Sequence, residues 1–181
     1  MRVALFGGSF NPPHNGHIEI IRKLAAMEEF NEVWILPAAH HPFGKELAPF
    51  EKRIEMLERS LKEIKKAHIS SIEKSLKSPN KTIDTIRALK LKFPTYQFSF
   101  IIGSDILAEI HSWKDYQKVE QEVEIIVVTR KGFMSDTCPY RILAFDLPEI
   151  SSSTIREALK KNHDTKDIPA SIKDLAVTLY R

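Results

Sequence analysis

The chain has 181 residues, with 27 Lys plus Arg against 24 Asp plus Glu, a formal net charge of +3. Apolar residues make up 43% and charged residues 28%, a balance that excludes a disordered chain. So small an excess does not by itself argue for nucleic acid, and the longest apolar runs, about five residues, fall far short of the roughly 20 of a membrane-spanning helix.

One cysteine, Cys138, cannot form an intrachain disulfide. The length suits one domain over 1–181, since domains cluster at roughly 100–150 residues. Its last part, about 151–181, is expected to be helical. Met1-Arg2-Val3-Ala4-Leu5-Phe6 reaches Gly7-Gly8 too soon for the core of a signal peptide, so a cytoplasmic protein is expected.

In chain order, the first apolar run, Val3–Phe6, predicts a buried strand. From His14 to Glu29, Ile18, Ile21, Leu24 and Ala25 recur at helical spacing. Val33–Leu36 predicts a second strand. After Pro49, which suits a first helical turn, Phe50, Ile54, Leu57, Leu61 and Ile64 form one apolar stripe. The polar stretch Lys74–Lys81, with Pro79-Asn80, reads as a loop. Ile83, Ile86, Leu89 and Phe93 mark a helix that stops before Pro94. Phe98–Ile102 and Ile125–Val128 predict two more strands, and Ser151–Lys161 and Pro169–Leu179 two more helices.

The strands do not alternate with polar residues, as suits a sheet covered on both faces. Strand then helix, repeated, predicts an α/β fold: one doubly wound, Rossmann-like domain with a parallel central sheet. Ligands in such folds bind beyond the carboxyl ends of the strands, which directs attention to the loops after Phe6, Leu36, Ile102 and Val128.

The first of these loops is Gly7-Gly8-Ser9-Phe10-Asn11-Pro12-Pro13-His14-Asn15-Gly16-His17. It matches neither the dinucleotide fingerprint nor the P-loop. Its glycines permit a ligand to approach the backbone. Asn11 or Asn15 can cap the helix that follows. His14 and His17 lie on one face of the helix start, where free N–H groups favour anions. Two imidazoles there make a phosphate cradle, although a cap, a surface pair or half a zinc site would use the same residues.

This segment resembles the signature of bacterial nicotinate-nucleotide adenylyltransferases, in the nucleotidyltransferase superfamily marked by H-x-G-H, here His14-Asn15-Gly16-His17. Further segments follow in the family's order over nearly the whole chain. Ile150-Ser151-Ser152-Ser153-Thr154-Ile155-Arg156 resembles I-S-S-T-x-I-R, with Ser153 in place of Thr. Its hydroxyls at a helix start and the planar fork of Arg156 suit phosphate, although they also suit a plain N-cap, or a capping box of Thr154 and Glu157. Ile101-Ile102-Gly103-Ser104-Asp105 matches I-I-G-x-D. Gly103 would admit a nucleotide, and Asp105 would accept from ribose hydroxyls or cap a helix.

Trp113 stands where the family stacks an indole on the pyridine ring, unless it is a core residue. Ala39-His40-His41-Pro42-Phe43-Gly44-Lys45 matches a Pro-rich loop more loosely, with Lys45 toward the polyphosphate or in solvent. Arg53 and Met56 fit the family's R-x-x-M. Val127-Val128-Thr129-Arg130-Lys131-Gly132 resembles a strand followed by Arg-Pro-Gly, with Lys131 replacing the proline and Arg130 on the substrate side. Asn80-Lys81-Thr82-Ile83-Asp84-Thr85 resembles S-Y-T-x-D-T, the turn that holds the nicotinate carboxylate, with Lys81 in the tyrosine's place.

The resemblance implies adenylyl transfer from ATP to nicotinate mononucleotide, with Mg²⁺ accompanying ATP and no protein metal ligand. His14, His17 and Arg156 are the expected catalytic residues. Gly7, Gly8, Ser9, Phe10, Gly16, Lys45, Gly103, Asp105, Ile150, Ser151 and Ser152 would line the ATP side. Lys81, Thr82, Asp105, Trp113 and Arg130 would line the acceptor side. The alternatives are another acceptor (nicotinamide mononucleotide or phosphopantetheine), a non-catalytic nucleotide sensor of the same fold, or an H-x-x-H zinc protein. No nucleic-acid or membrane partner is expected.

Overall fold

The computed structural model describes residues 1–40, 46–77, 81–107, 109–113, 115–129, 138–147, 149–163 and 165–181. Six parallel strands form one sheet in the order β3-β2-β1-β4-β5-β6. They are β1 (Arg2–Gly8), β2 (Glu32–Pro37), β3 (Ala67–Ile69), β4 (Gln97–Gly103), β5 (Glu124–Thr129) and β6 (Arg141–Ala144). The four strands expected from sequence are the four central ones. The short edge strands β3 and β6 are additional.

The helices are α1 (Asn15–Ala26), α2 (Phe50–Leu61), α3 (Ile72–Ser75), α4 (Thr82–Lys92), α5 (Ser104–Leu107), α6 (Tyr116–Glu122), α7 (Ser152–Lys160) and α8 (Lys173–Tyr180). The stretch read as a loop from Lys74 thus begins inside α3, and residues 78–80 of it lie outside the described residues. The last helix is preceded by a single 3₁₀ turn at Ala170–Ile172.

Successive strand residues point to opposite faces, and both faces are covered. Val3, Leu5, Trp34, Leu36, Phe98, Phe100, Ile102, Ile125 and Val127 pack on one side against Ile83, Ile86 and Leu89 of α4 and Tyr116 and Val119 of α6. Ala4, Phe6, Val33, Ile35, Ile101, Ile126 and Val128 pack on the other against Ile18, Ile21 and Leu24 of α1 and Leu57 and Leu61 of α2. This two-sided burial is why the strands read as unbroken apolar runs. A third cluster joins Met56 of α2 to Ile155 and Leu159 of α7 and Ala176 and Tyr180 of α8. It seats the C-terminal helices against α2.

The direction in which strands are added reverses between β1 and β4, where β1 pairs with β2 on one side and β4 on the other. Their register sets Phe6 beside Ile101, so the Gly7-Gly8 end of β1 lies next to the Ile102-Gly103 end of β4. Both motifs therefore reach the same crevice.

At the far edge, Arg141 of β6 grips Glu29 through two hydrogen bonds of 2.7 and 2.6 Å. Hydrogen bonding from Arg141 holds the Glu29 carboxyl below its usual value of 4.5. A carboxyl depressed in the fold stabilises it above the unfolded pKa and loses that contribution as the pH falls. Glu29→Gln should cost under about 1 kcal/mol at neutral pH, because the pair is partly exposed. In urea titrations the gap between variant and wild type should close as the pH drops below 4.5.

Candidate active site at the carboxyl ends of β1 and β4

The segment after β1 begins with a backbone turn. Phe10 has φ 47°, a left-handed conformation that costs a non-glycine residue about 1 kcal/mol or more. Its ring is buried against the backbone of Gly8, where a Cβ would meet it at 3.1 Å. It also meets the edge of the His17 ring, with centroids 4.9 Å apart. A side chain at Gly8 would therefore crowd the buried Phe10 ring, which would have to give by a few tenths of an ångström. Gly7 has more room, because a Cβ there would only touch the Phe100 ring at 3.5 Å.

Asn11 is 4% exposed and ties this turn to distant parts of the chain. Its side-chain oxygen accepts from the Ala48 N–H at 3.0 Å and from the Tyr180 hydroxyl at 2.6 Å. Its backbone carbonyl accepts from Arg156 at 2.7 Å.

His14 is the N-cap of α1 and His17 its third residue. Each ring accepts, through Nδ1, the backbone N–H of the other residue at 3.3 Å. The rings stack with centroids 3.6 Å apart and 24° between planes. An Nδ1 that accepts an N–H bond carries no proton, so both rings are neutral and protonated at Nε2. Each ring then carries its N–H at Nε2. The Asn15 N–H is taken by the carbonyl of Asp167 at 2.8 Å. Of the first N–H groups of α1, only that of Gly16 has no partner among the described residues. In place of the expected row of free N–H groups, α1 thus begins with one N–H that lacks a partner among the described residues, beside two imidazoles that cap one another.

Arg53 lies on α2 and is 1% exposed. Its guanidinium donates to three carbonyls: Ala48 at 3.0 Å, Ser9 at 2.8 Å and Ala38 at 2.8 Å. Those carbonyls belong to the segments before α2, after β1 and after β2. No carboxylate pairs with it among the described residues, and desolvation pulls its pKa below the usual arginine value. It works as a rivet between loops. The apolar stripe read from sequence includes Ile54, which is only half-buried, whereas Arg53 and Met56, outside that stripe, are buried.

Helix α7 closes the site from another side. Ser151 is its N-cap, its hydroxyl accepting from the Thr154 N–H at 3.1 Å, so the cap falls on Ser151 and not on Thr154. Ser152 donates to the carbonyl of Pro12 at 2.8 Å. Arg156, half-buried, reaches Asn11 with one nitrogen and Ser153 at 3.4 Å with another. Ile150 is buried in the C-terminal cluster. The two sequence motifs, about 140 residues apart, are thus in direct contact.

On the β4 side, exposed Asp105 lies over Gly103, and half-buried Trp113 sets its edge against Phe100, with centroids 6.2 Å apart. Asp84 caps α4 by accepting the Lys81 N–H at 3.0 Å. Thr85 turns inward to Glu73 at 3.2 Å, and Glu73 also accepts the Ala39 N–H at 3.2 Å. Lys81 and Thr82 are half-buried at the start of α4. Lys45 and Arg130 lie outside the described residues. The zinc reading lacks partners, because no group of three or more His, Cys, Asp or Glu among the described residues could hold a metal.

Comparison with known proteins agrees with this layout. The model of the cytidylyltransferase-like family matches residues 5–158. A relative from Anaeromyxobacter dehalogenans (strain 2CP-C), named "Probable nicotinate-nucleotide adenylyltransferase", is 41% identical over 92% of this chain and 88% of its own. One of the same name from Bacillus licheniformis is 32% identical over 95% and 93%. The chain belongs to the nicotinate-nucleotide adenylyltransferases, within the cytidylyltransferase-like family. The nicotinic acid mononucleotide adenylyltransferase of Plasmodium falciparum, solved with NaAD, superposes with a TM-score of 0.84, covering 99% of this chain and 98% of that one. At 24% identity that likeness speaks for the fold.

Within this adenylyltransferase, Asn11, Arg53 and Tyr180 are the residues that motif reading did not assign. The R-x-x-M pattern marked Arg53 but gave it no partner, and nothing marked Tyr180. Two outcomes follow from the geometry. Arg53→Lys cannot reach three carbonyls at once and should destabilise the fold by about 2 kcal/mol or more, measured by denaturant unfolding. In ¹⁵N NMR spectra at neutral pH, His14 and His17 should both show the Nε2–H tautomer, and an Nδ1–H signature for either would break the reciprocal cap.

Proposed function

We propose that this chain transfers the adenylyl group of ATP to the 5′-phosphate of nicotinate mononucleotide, forming deamido-NAD and pyrophosphate. The observation that carries the reading is the convergence of the His14–His17 pair, the Gly16 N–H and Arg156 on one loop at the β1–β4 switch point. The relatives' printed names support the acceptor.

A phosphate oxygen of the mononucleotide attacks the α-phosphorus of ATP. The new P–O bond forms as the bond to the bridging oxygen breaks, and pyrophosphate leaves with that oxygen. The side chains bind and orient, so no nucleophilic residue is needed. His14 and His17 donate Nε2–H bonds to the triphosphate. Arg156, already anchored to Asn11, adds a fixed positive charge where the leaving group departs. Ser151 and Ser152 hold the α7 end in place, and Lys45 is the further basic residue expected to meet the polyphosphate. Ser9, Phe10, Gly103 and Ile150 shape the ATP side, while Asp105, Trp113, Thr82, Lys81 and Arg130 take the acceptor.

Mg²⁺ enters as part of the substrate, Mg–ATP. That ion prefers substrate phosphates and water to protein cages. Lys81, in place of a tyrosine, can pair with the carboxylate that separates nicotinate from nicotinamide mononucleotide.

Pyrophosphate release with ATP, Mg²⁺ and each acceptor in turn tests the reading. Nicotinate mononucleotide should support turnover, and release with no pyridine mononucleotide would overturn it. His17→Ala should lower kcat about 10²-fold or more with the fold intact by circular dichroism. Near wild-type turnover in that variant would remove His17 from the mechanism.

A further inference from the structure

The last helix reaches the site through the hydroxyl of its final residue. Tyr180, 8% exposed, ends α8 and donates to Asn11 Oδ1 across 169 positions of sequence. Burial pushes the phenol's pKa up, so it stays a donor at all ordinary pH values. Asn11 Oδ1 has two donors, Tyr180 and the Ala48 N–H, which fix the plane of the amide. The same residue's backbone carbonyl accepts from Arg156 at 2.7 Å, so the side-chain tie and the arginine hold one residue from two sides, and the chain runs from there through Pro12 and Pro13 to His14. The preceding residue, Phe10, is in the left-handed region and depends on its surroundings to remain there.

We infer that Tyr180 is a positioning residue for the ATP phosphates, acting through Asn11 on His14 and Arg156 and touching no substrate itself. The inference rests on the reading of His14 and Arg156 as phosphate ligands. Its mark is selectivity. Removing the hydroxyl should disturb the triphosphate side and leave the acceptor side, built on β4 and α4, as it is.

The test compares Tyr180→Phe with Asp174→Asn. Asp174 pairs with Arg59 at 3.2 Å on the exposed side of α8, so its loss loosens the same helix without touching Asn11. Mg–ATP affinity is measured by calorimetry, and both KM values and kcat by pyrophosphate release. For Tyr180→Phe, the Kd and KM for ATP should rise about threefold to tenfold, the range of one lost hydrogen bond, with kcat within about twofold and the acceptor KM unchanged. Asp174→Asn should change none of these.

Unchanged ATP affinity in Tyr180→Phe would overturn the inference, as would a parallel rise in both KM values or an equal effect from Asp174→Asn. Each would reduce Tyr180 to a packing residue. Calorimetry keeps the two readings apart. A chain that binds Mg–ATP but adenylylates no mononucleotide contradicts the proposed reaction, while the comparison of Kd values still decides the role of Tyr180.

Discussion

The guanidinium of Arg53 is buried with three carbonyls for company and no carboxylate within hydrogen-bond reach among the described residues. A buried charge held this way is costly unless every donor is satisfied, and satisfying them requires three separate loops to meet. The rest of the site depends on that meeting. The Ser9 carbonyl it grips directly precedes Phe10, whose left-handed backbone is stable only inside a fixed surround. Asn11 continues the same belt to Ala48, Arg156 and Tyr180. What looks like a flexible glycine loop is a rigid bracket fastened from α2, α7 and α8.

Rigidity matters because of the chemistry proposed for it. An adenylyl transfer without a covalent intermediate gains from orientation and from donors already aimed at the charge that moves. The reciprocal cap fixes the tautomers of His14 and His17, and in the proposed reaction their Nε2–H groups would meet the phosphates. In the proposed reaction, positive charge would come from Arg156 and from Mg²⁺ accompanying ATP. The +3 excess of the whole chain says little about this site, whose electrostatics rest on a few placed groups.

Much of the fold was legible because burial on two faces leaves unbroken apolar runs, which mark β1, β2, β4 and β5. The edge strands were not. Ala67-His68-Ile69 and Arg141-Ile142-Leu143-Ala144 are short, partly exposed and carry polar residues, so they lack that signature. Helix α6 was missed for a similar reason, since Tyr116 and Val119 are its only buried positions. For the candidate site, motif spacing singled out His14, His17 and Arg156. It could not reveal that the two histidines cap one another, nor that an arginine on an amphipathic helix points inward. Periodicity assigns charge to solvent, and only the carbonyls of three distant loops make the buried position of Arg53 intelligible.

The central claim is that the site works by holding two substrates in line, with no side chain bonded to the adenylyl group. The stereochemical course at the α-phosphorus tests it most directly. With a single diastereomer of ATPαS and nicotinate mononucleotide, ³¹P NMR of the product dinucleotide should show inversion of configuration. Retention would mean two successive displacements through an adenylylated residue, and would contradict the account.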